Sequence, residues 1–159
     1  MAVTWIDVVD NAVKIGLGSL IALLSGWLTL KLTQHHEIKR EAKASLTDEI
    51  SIKTNRYVEF LTMSHSLMQT YLFTQCSGSS DDYLKYLRIH NEITITSEDE
   101  IRLAAFELQS AVSSFIFYNK SGDLELVDSL RKLGRDNAAK FQYRAYAELL
   151  KMKEDRKNI

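Results

Sequence analysis

The stretch "RKLGRDNAAKFQYRAY", residues 131 to 146, holds the side chains best suited to chemistry. Arg131 and Arg135 lie one helical turn apart, as do Lys140 and Arg144, and Tyr143 and Tyr146 are interleaved with them. Guanidinium groups clamp phosphate through paired hydrogen bonds, and tyrosine rings stack on bases. Residues 120 to 159 carry ten basic side chains against seven acidic ones. Arg131, Arg135, Lys140, Tyr143 and Arg144 are therefore candidate ligands for a nucleotide or phosphate, such as an oligonucleotide or a cyclic nucleotide. The same pattern also describes a solvated helix face held by pairs four residues apart, and the residues alone leave both readings open. In an oligomer, even a modest patch would repeat around the symmetry axis and become strong.

Other chemistry is scarce. The sequence contains no phosphate-binding glycine loop, no GxSxG and no HExxH. Cys76 is the one cysteine, so no internal disulfide forms and a reducing compartment suits it. His35 and His36 are adjacent and point about 100° apart on a helix, which does not converge on one metal ion. His65 and His90 read as polar or packing residues. Lys85, five before His90, lacks the planar fork of arginine. No catalytic residue, metal or cofactor is expected, and the chain reads as a protein other than an enzyme.

Whatever positions these groups must be helical. Proline is absent and there are six glycines among 159 residues, so the turn residues of an all-β fold are missing. Charge is balanced, with 20 Lys and Arg against 21 Asp and Glu, so the chain as a whole is no polyanion binder. "IGLGSLIALLSGWLTL", residues 15 to 30, is uncharged, and the apolar run extends over 13–32 if Lys14 and Lys31 snorkel. Twenty residues rise about 30 Å, the depth of a bilayer core. The spacing predicts a transmembrane helix over 13–32; the alternative is a buried core helix. Asp7 and Asp10 ahead of the run, with no small-residue cleavage site after it, argue against a signal peptide. Lys31, Lys39, Arg40 and Lys43 behind the run put its C-terminal side in the cytoplasm, in a single-pass protein with its N-terminus outside. Trp5 and Trp27 lie on one face about 33 Å apart, matching the two aromatic belts of a membrane.

At about 100° per residue, Thr4, Asp7, Asn11, Lys14, Gly18, Ala22, Ser25 and Thr29 fall within an arc of roughly 80°. Gly18, Ala22 and Gly26 form a small-xxx-small series, and Ser25 and Thr29 can bond across helices. With one span per chain the partner is another copy, so a homo-oligomer is expected. The stripe of Asn11, Lys14, Gly18, Ala22, Ser25, Gly26 and Thr29 is either a packing seam or the lining of a water-filled path.

The chain divides into a short amphipathic lead (1–12), the span (13–32), a helical juxtamembrane extension (33–45) and a cytoplasmic helical bundle (46–159). Ser45 three before Asp48 predicts a helix start and a hinge near residue 45. From there a helical period of apolar residues runs to about residue 75. "CSGSSDD" (76–82) is a turn and "DYLKYLRIH" a shorter helix. "NEITITSEDE" reads as an extended connector, Ser97 with Glu100 as a capping box for a helix over about 98–118, and "NKSGD" (119–123) as a turn. A last helix covers about 124–153, with Gly134 a point of kinking or interruption. The fold class is all-α: one N-terminal transmembrane helix followed by a three- or four-helix bundle.

This plan resembles the small membrane effectors of bacterial antiphage defence, of the CRISPR-associated or nucleotide-signalling type. The residues that carry the resemblance are the span at 13–32, its Gly18/Ala22/Ser25/Gly26 seam, the basic continuation Lys39, Arg40 and Lys43, and the basic-aromatic final helix. It implies an oligomer in the bacterial inner membrane that opens a pore or disrupts the bilayer, controlled by its cytoplasmic domain through an oligonucleotide signal. The ribonuclease signature of some relatives, Arg four to six residues before His, is absent. A membrane-tethered adaptor that localises a protein partner through the bundle is the other reading.

Overall fold

A computed structural model describes residues 5–119 and 122–158; within it, the side chains of 5–26 and of 28, 29, 32 and 35 lie outside the described set. Four helices make up the described chain: α1 (Trp5–Thr70), α2 (Asp81–Thr96), α3 (Asp99–Tyr118) and α4 (Leu124–Asn158). No strand occurs among the described residues. By contacts the chain divides into two compact units that part between Ser45 and Leu46.

The first unit is helical throughout its described length. Every described side chain from Trp27 to Ser45 is exposed except half-buried Ala42. The Lys31 ammonium sits 5.0 Å from the centroid of the Trp27 ring, a cation–π contact. Among the described residues no helix is long and apolar enough to cross a membrane. Most of the 13–32 run lies outside the described side chains, and with it the stripe Asn11, Lys14, Gly18, Ala22, Ser25, Gly26 and Thr29.

The second unit is a four-helix bundle built from the C-terminal part of α1 with α2, α3 and α4. Its centre is aromatic. Phe60 stacks on Tyr86 at 5.0 Å and meets Phe141 edge-on at 5.2 Å. α3 buries one continuous face, made of Ile101, Ala104, Ala105, Leu108, Val112, Phe115 and Ile116. At about 1.5–3 kcal/mol for each large apolar side chain, this cluster is the main source of stability.

Four local expectations differ from what is found. No helix starts near residue 45, since α1 runs through it, although the two units part there. No proline or glycine stands between Gly26 and Gly78, so nothing breaks α1 there. The "NEITIT" stretch is the end of α2 and not an extended connector. Ile89 and Ile93, one turn apart, are both buried, and this burial overrides the β-preference of the Ile/Thr run. The Thr94 and Thr96 hydroxyls donate back to the carbonyls of Asn91 and Glu92 at 3.0 and 2.7 Å.

The Ser97–Glu100 capping box is also absent. Glu98 occupies the N-cap of α3 without a side-chain capping bond, while Ser97 and Glu100 bond elsewhere, as described below. Gly134 neither kinks nor interrupts α4. It is buried, and a Cβ there would lie 2.6 Å from Met68 Cε and 2.7 Å from its Sδ, so it allows α4 to approach α1 closely.

The far end of the bundle is stitched through Asn119, whose amide donates to the carbonyls of Tyr71 and Thr74. The Cys76 N–H donates to the Ile116 carbonyl at 2.9 Å, binding the 71–80 loop to the end of α3.

Candidate functional site

α4 carries all five residues expected to meet a phosphate, and its unbroken geometry separates them. Nine residues at about 100° each put Lys140 half a turn round from Arg131. The buried stripe of α4 (Gly134, Ala138, Phe141 and Ala145) runs between the two cation pairs. Arg131 and Arg135 therefore flank the core on one side, and Lys140 and Arg144 on the other. The fold does not bring the four cations together.

The second pair also has partners already. Arg144 Nη1 donates to Glu100 Oε2 at 2.8 Å, and Lys140 Nζ lies 3.8 Å from Glu107. Lys151 extends the row to Glu98, again at 3.8 Å. These exposed pairs contribute about 0–1 kcal/mol each, but they set a carboxylate beside each cation of the α3/α4 seam. A groove of about 650 Å³ opens along that seam, with Leu103, Ala104 and Ala139 as its floor and Tyr143 at its edge. Its rim carries Glu100, Glu107 and Asp136 against Lys140 and Arg144, one more acid than base. That balance suits a mixed or weakly basic surface better than a phosphate. Arg131 and Arg135 form no ion pair among the described residues, so a phosphate would meet them without first breaking one.

A second groove, about 470 Å³, lies between α1 and α4. Thr54, Val58 and Leu61 line one wall, and Ala145, Tyr146 and Leu149 the other. Tyr143 borders both grooves; it is 70% exposed and Tyr146 65%, with Val58 and Leu103 exposed on either side. This α1–α4–α3 face joins tyrosines to aliphatic side chains, the composition found at the centres of protein interfaces.

Behind the second groove is a buried polar cluster that the sequence reading missed. Lys53 Nζ donates to Glu148 Oε1 at 2.8 Å, and the Tyr57 hydroxyl donates to Glu148 Oε2. Ser97 Oγ lies 3.0 Å from the same hydroxyl and completes its bonding as a donor. Burial first, and then the Glu148 carboxylate, push the Tyr57 phenol above its ordinary value, so it stays a proton donor. The cluster ties α1, α4 and the α2–α3 junction at one point. A signal for it was present in the sequence. Lys53 interrupts the apolar stripe Ile50, Tyr57, Phe60 of α1, and Glu148 interrupts Ala138, Phe141, Ala145 of α4, with opposite charge.

His65 is exposed on α1. His90 packs 6.1 Å from the Phe60 ring, and its Nε2 has no partner among the described residues. Burial holds its pKa below the ordinary histidine value, opposed by a hydrogen bond to Asn91. No group of three metal-binding side chains occurs among the described residues. No family model, curated protein or solved structure matches the chain. Any functional reading therefore rests on the residues themselves.

Proposed function

We propose that the chain is an oligomeric membrane effector: residues 13–32 cross the bacterial inner membrane, copies pack through the small-residue seam, and the bundle controls the pore or lesion they form. The observation that carries this reading is the unbroken α1, Trp5–Thr70, in which one helix holds both the uncharged run and the bundle's first element. Exposed Trp27 and Leu30, with Lys31 over the Trp27 ring, suit the headgroup end of such a span. The resemblance of plan to antiphage effectors supports action at the inner membrane after infection. A signal molecule would act by binding one arrangement of the bundle better than another. For an oligonucleotide signal, Arg131 and Arg135 are the available anchors.

The test is dye-reported depolarisation of bacteria expressing the chain, beside sedimentation of the purified protein in detergent. Gly18→Leu with Ala22→Leu keeps the segment apolar but blocks close helix approach. Loss of both depolarisation and oligomer mass is expected. Unchanged mass would overturn the seam, and an intact membrane potential with the parent chain would overturn the effector.

The adaptor is the second reading, and the exposed Tyr143, Tyr146, Val58 and Leu103 favour it. Replacing 13–32 with an unrelated Leu-rich span separates the two. An adaptor keeps its function, and an effector loses it.

A further inference from the structure

α4 is held in two different ways along its length. From Gly134 to Ala145 it is packed by apolar contacts, against Met68 at Gly134 and against Phe60 at Phe141. Glu148 is its last buried residue, well before its end at Asn158. From there on the one apolar attachment to the core is half-buried Leu149 and the rest are polar: Glu148 to Lys53 and Tyr57, Lys151 to Glu98 at 3.8 Å, and Arg156 Nη1 to Thr47 Oγ1 at 3.4 Å. Beside this polar half the α1/α4 seam is open, as the groove between Tyr57, Val58 and Leu61 on one helix and Ala145, Tyr146 and Leu149 on the other.

We propose that residues 146–158 of α4 form a latch, which releases α1 as one unit while the apolar half of α4 stays docked. Charges parted in water recover their hydration, so a buried ion pair gives up far less on opening than packed aromatic rings do. Opening here costs the cluster's hydrogen bonds and little apolar area, which sets a low free energy for this local event. Release frees Lys53 and the Tyr57 hydroxyl, while the Tyr57 ring stays edge-on to Phe141 at 5.6 Å. Arg56 keeps its contacts to Glu92, at 3.6 Å, and Thr96, at 3.4 Å, so α1 remains on α2. The latch rests on the bundle's geometry alone. If the effector reading holds, the latch acts on α1, the helix that also carries residues 13–32.

Hydrogen exchange read by mass spectrometry, on the full chain in detergent micelles with a series of urea concentrations, tests this. The amides of 149–157 are expected to exchange as a block, with one shared urea dependence, and about thirtyfold or more faster than those of 108–116. Lys53→Met with Glu148→Leu replaces the buried charges by apolar groups of similar size. It is expected to slow that block about fourfold and to slow 108–116 by no more than the same factor. Rates that climb smoothly toward residue 158 and ignore the double substitution would mean simple fraying and overturn the latch. Exchange of the block only together with 108–116 would overturn it too. If the double variant does not fold, block against gradient in the parent decides.

Discussion

Removing Lys53 alone is the sharpest test of how the polar cluster works. The ammonium and carboxylate are 2.8 Å apart, with side chains 11% and 7% exposed. At an effective dielectric constant near 20 their attraction is about 6 kcal/mol. Taking each ion out of water costs several kcal/mol, so the net worth of the intact pair is small. Lys53→Met deletes the attraction and leaves the carboxylate's desolvation standing, answered by the Tyr57 hydroxyl alone. A loss of about 4 kcal/mol is expected. Glu148→Leu should cost less, about 2–3 kcal/mol, because Lys53 keeps Glu49 at 3.8 Å and that carboxylate is half exposed. The double variant should lie within about 1 kcal/mol of the parent, giving a coupling of about 5 kcal/mol or more. Urea unfolding of the full chain in micelles, followed by circular dichroism, measures all four corners of the cycle. Single losses below about 1 kcal/mol, or strict additivity, would show that water reaches the pair and would refute its buried character.

Three further outcomes follow from individual positions. Gly134→Ala gains about 1 kcal/mol of helix propensity and presses on the flexible tip of Met68. Its melting temperature should therefore stay near the parent's, while Gly134→Val displaces Met68 and costs about 2 kcal/mol; equal losses for both would mean that backbone, not Met68, limits the approach. His90 binds its proton less readily folded than unfolded, so stability should fall as pH drops from about 6.5 through its lowered folded value. His90→Gln should flatten that part of the pH profile, and an unchanged slope would assign the acid sensitivity to other groups. Arg131→Ala with Arg135→Ala should lower affinity for a single-stranded oligonucleotide and flatten its salt dependence, whereas Lys140→Ala with Arg144→Ala should change it less; fluorescence anisotropy across a salt series reads both.

The helices were legible because their signals are redundant. The apolar stripe of α3, Ile101 through Ile116, repeats the helical period over about four turns and has one solution, burial. Short-range signals did worse. Ser45, Asp48, Ser97 and Glu100 all have cap chemistry, yet a cap residue starts a helix only where the chain would otherwise leave one. At residue 45 no breaker makes it leave, so α1 runs on. At residue 97 the hydroxyl finds a stronger use with Tyr57, and Glu100 finds Arg144. The "ITIT" preference for strands, worth tenths of a kcal/mol per residue, loses to burial of Ile93 in the core. The candidate site failed to converge for a different reason. Spacing of four identifies neighbours within each cation pair but says nothing about two pairs nine residues apart, which a helix turns to opposite sides.

That geometry changes what the basic residues of α4 can be doing. Had all four cations shared one face, their mutual repulsion would have called for an anion to relieve it, and a ligand would follow. Set on opposite flanks of a buried stripe, each pair faces a different neighbour. Lys140 and Arg144 meet the carboxylates of α3, with Lys151 extending the row to Glu98, and so fix the register of two antiparallel helices. Arg131 and Arg135 have no such acids opposite them, because the neighbour on that flank is α1, whose stretch around Met68, residues 61–72, contains no Asp or Glu. Among the cations of the 131–146 stretch that were candidate phosphate ligands, the two outside an ion pair therefore lie together on the flank of α4 where Gly134 meets Met68. An anion meeting Arg131 and Arg135 displaces no carboxylate, whereas one meeting Lys140 and Arg144 must first part them from Glu107 and Glu100, so the two pairs differ in what binding costs.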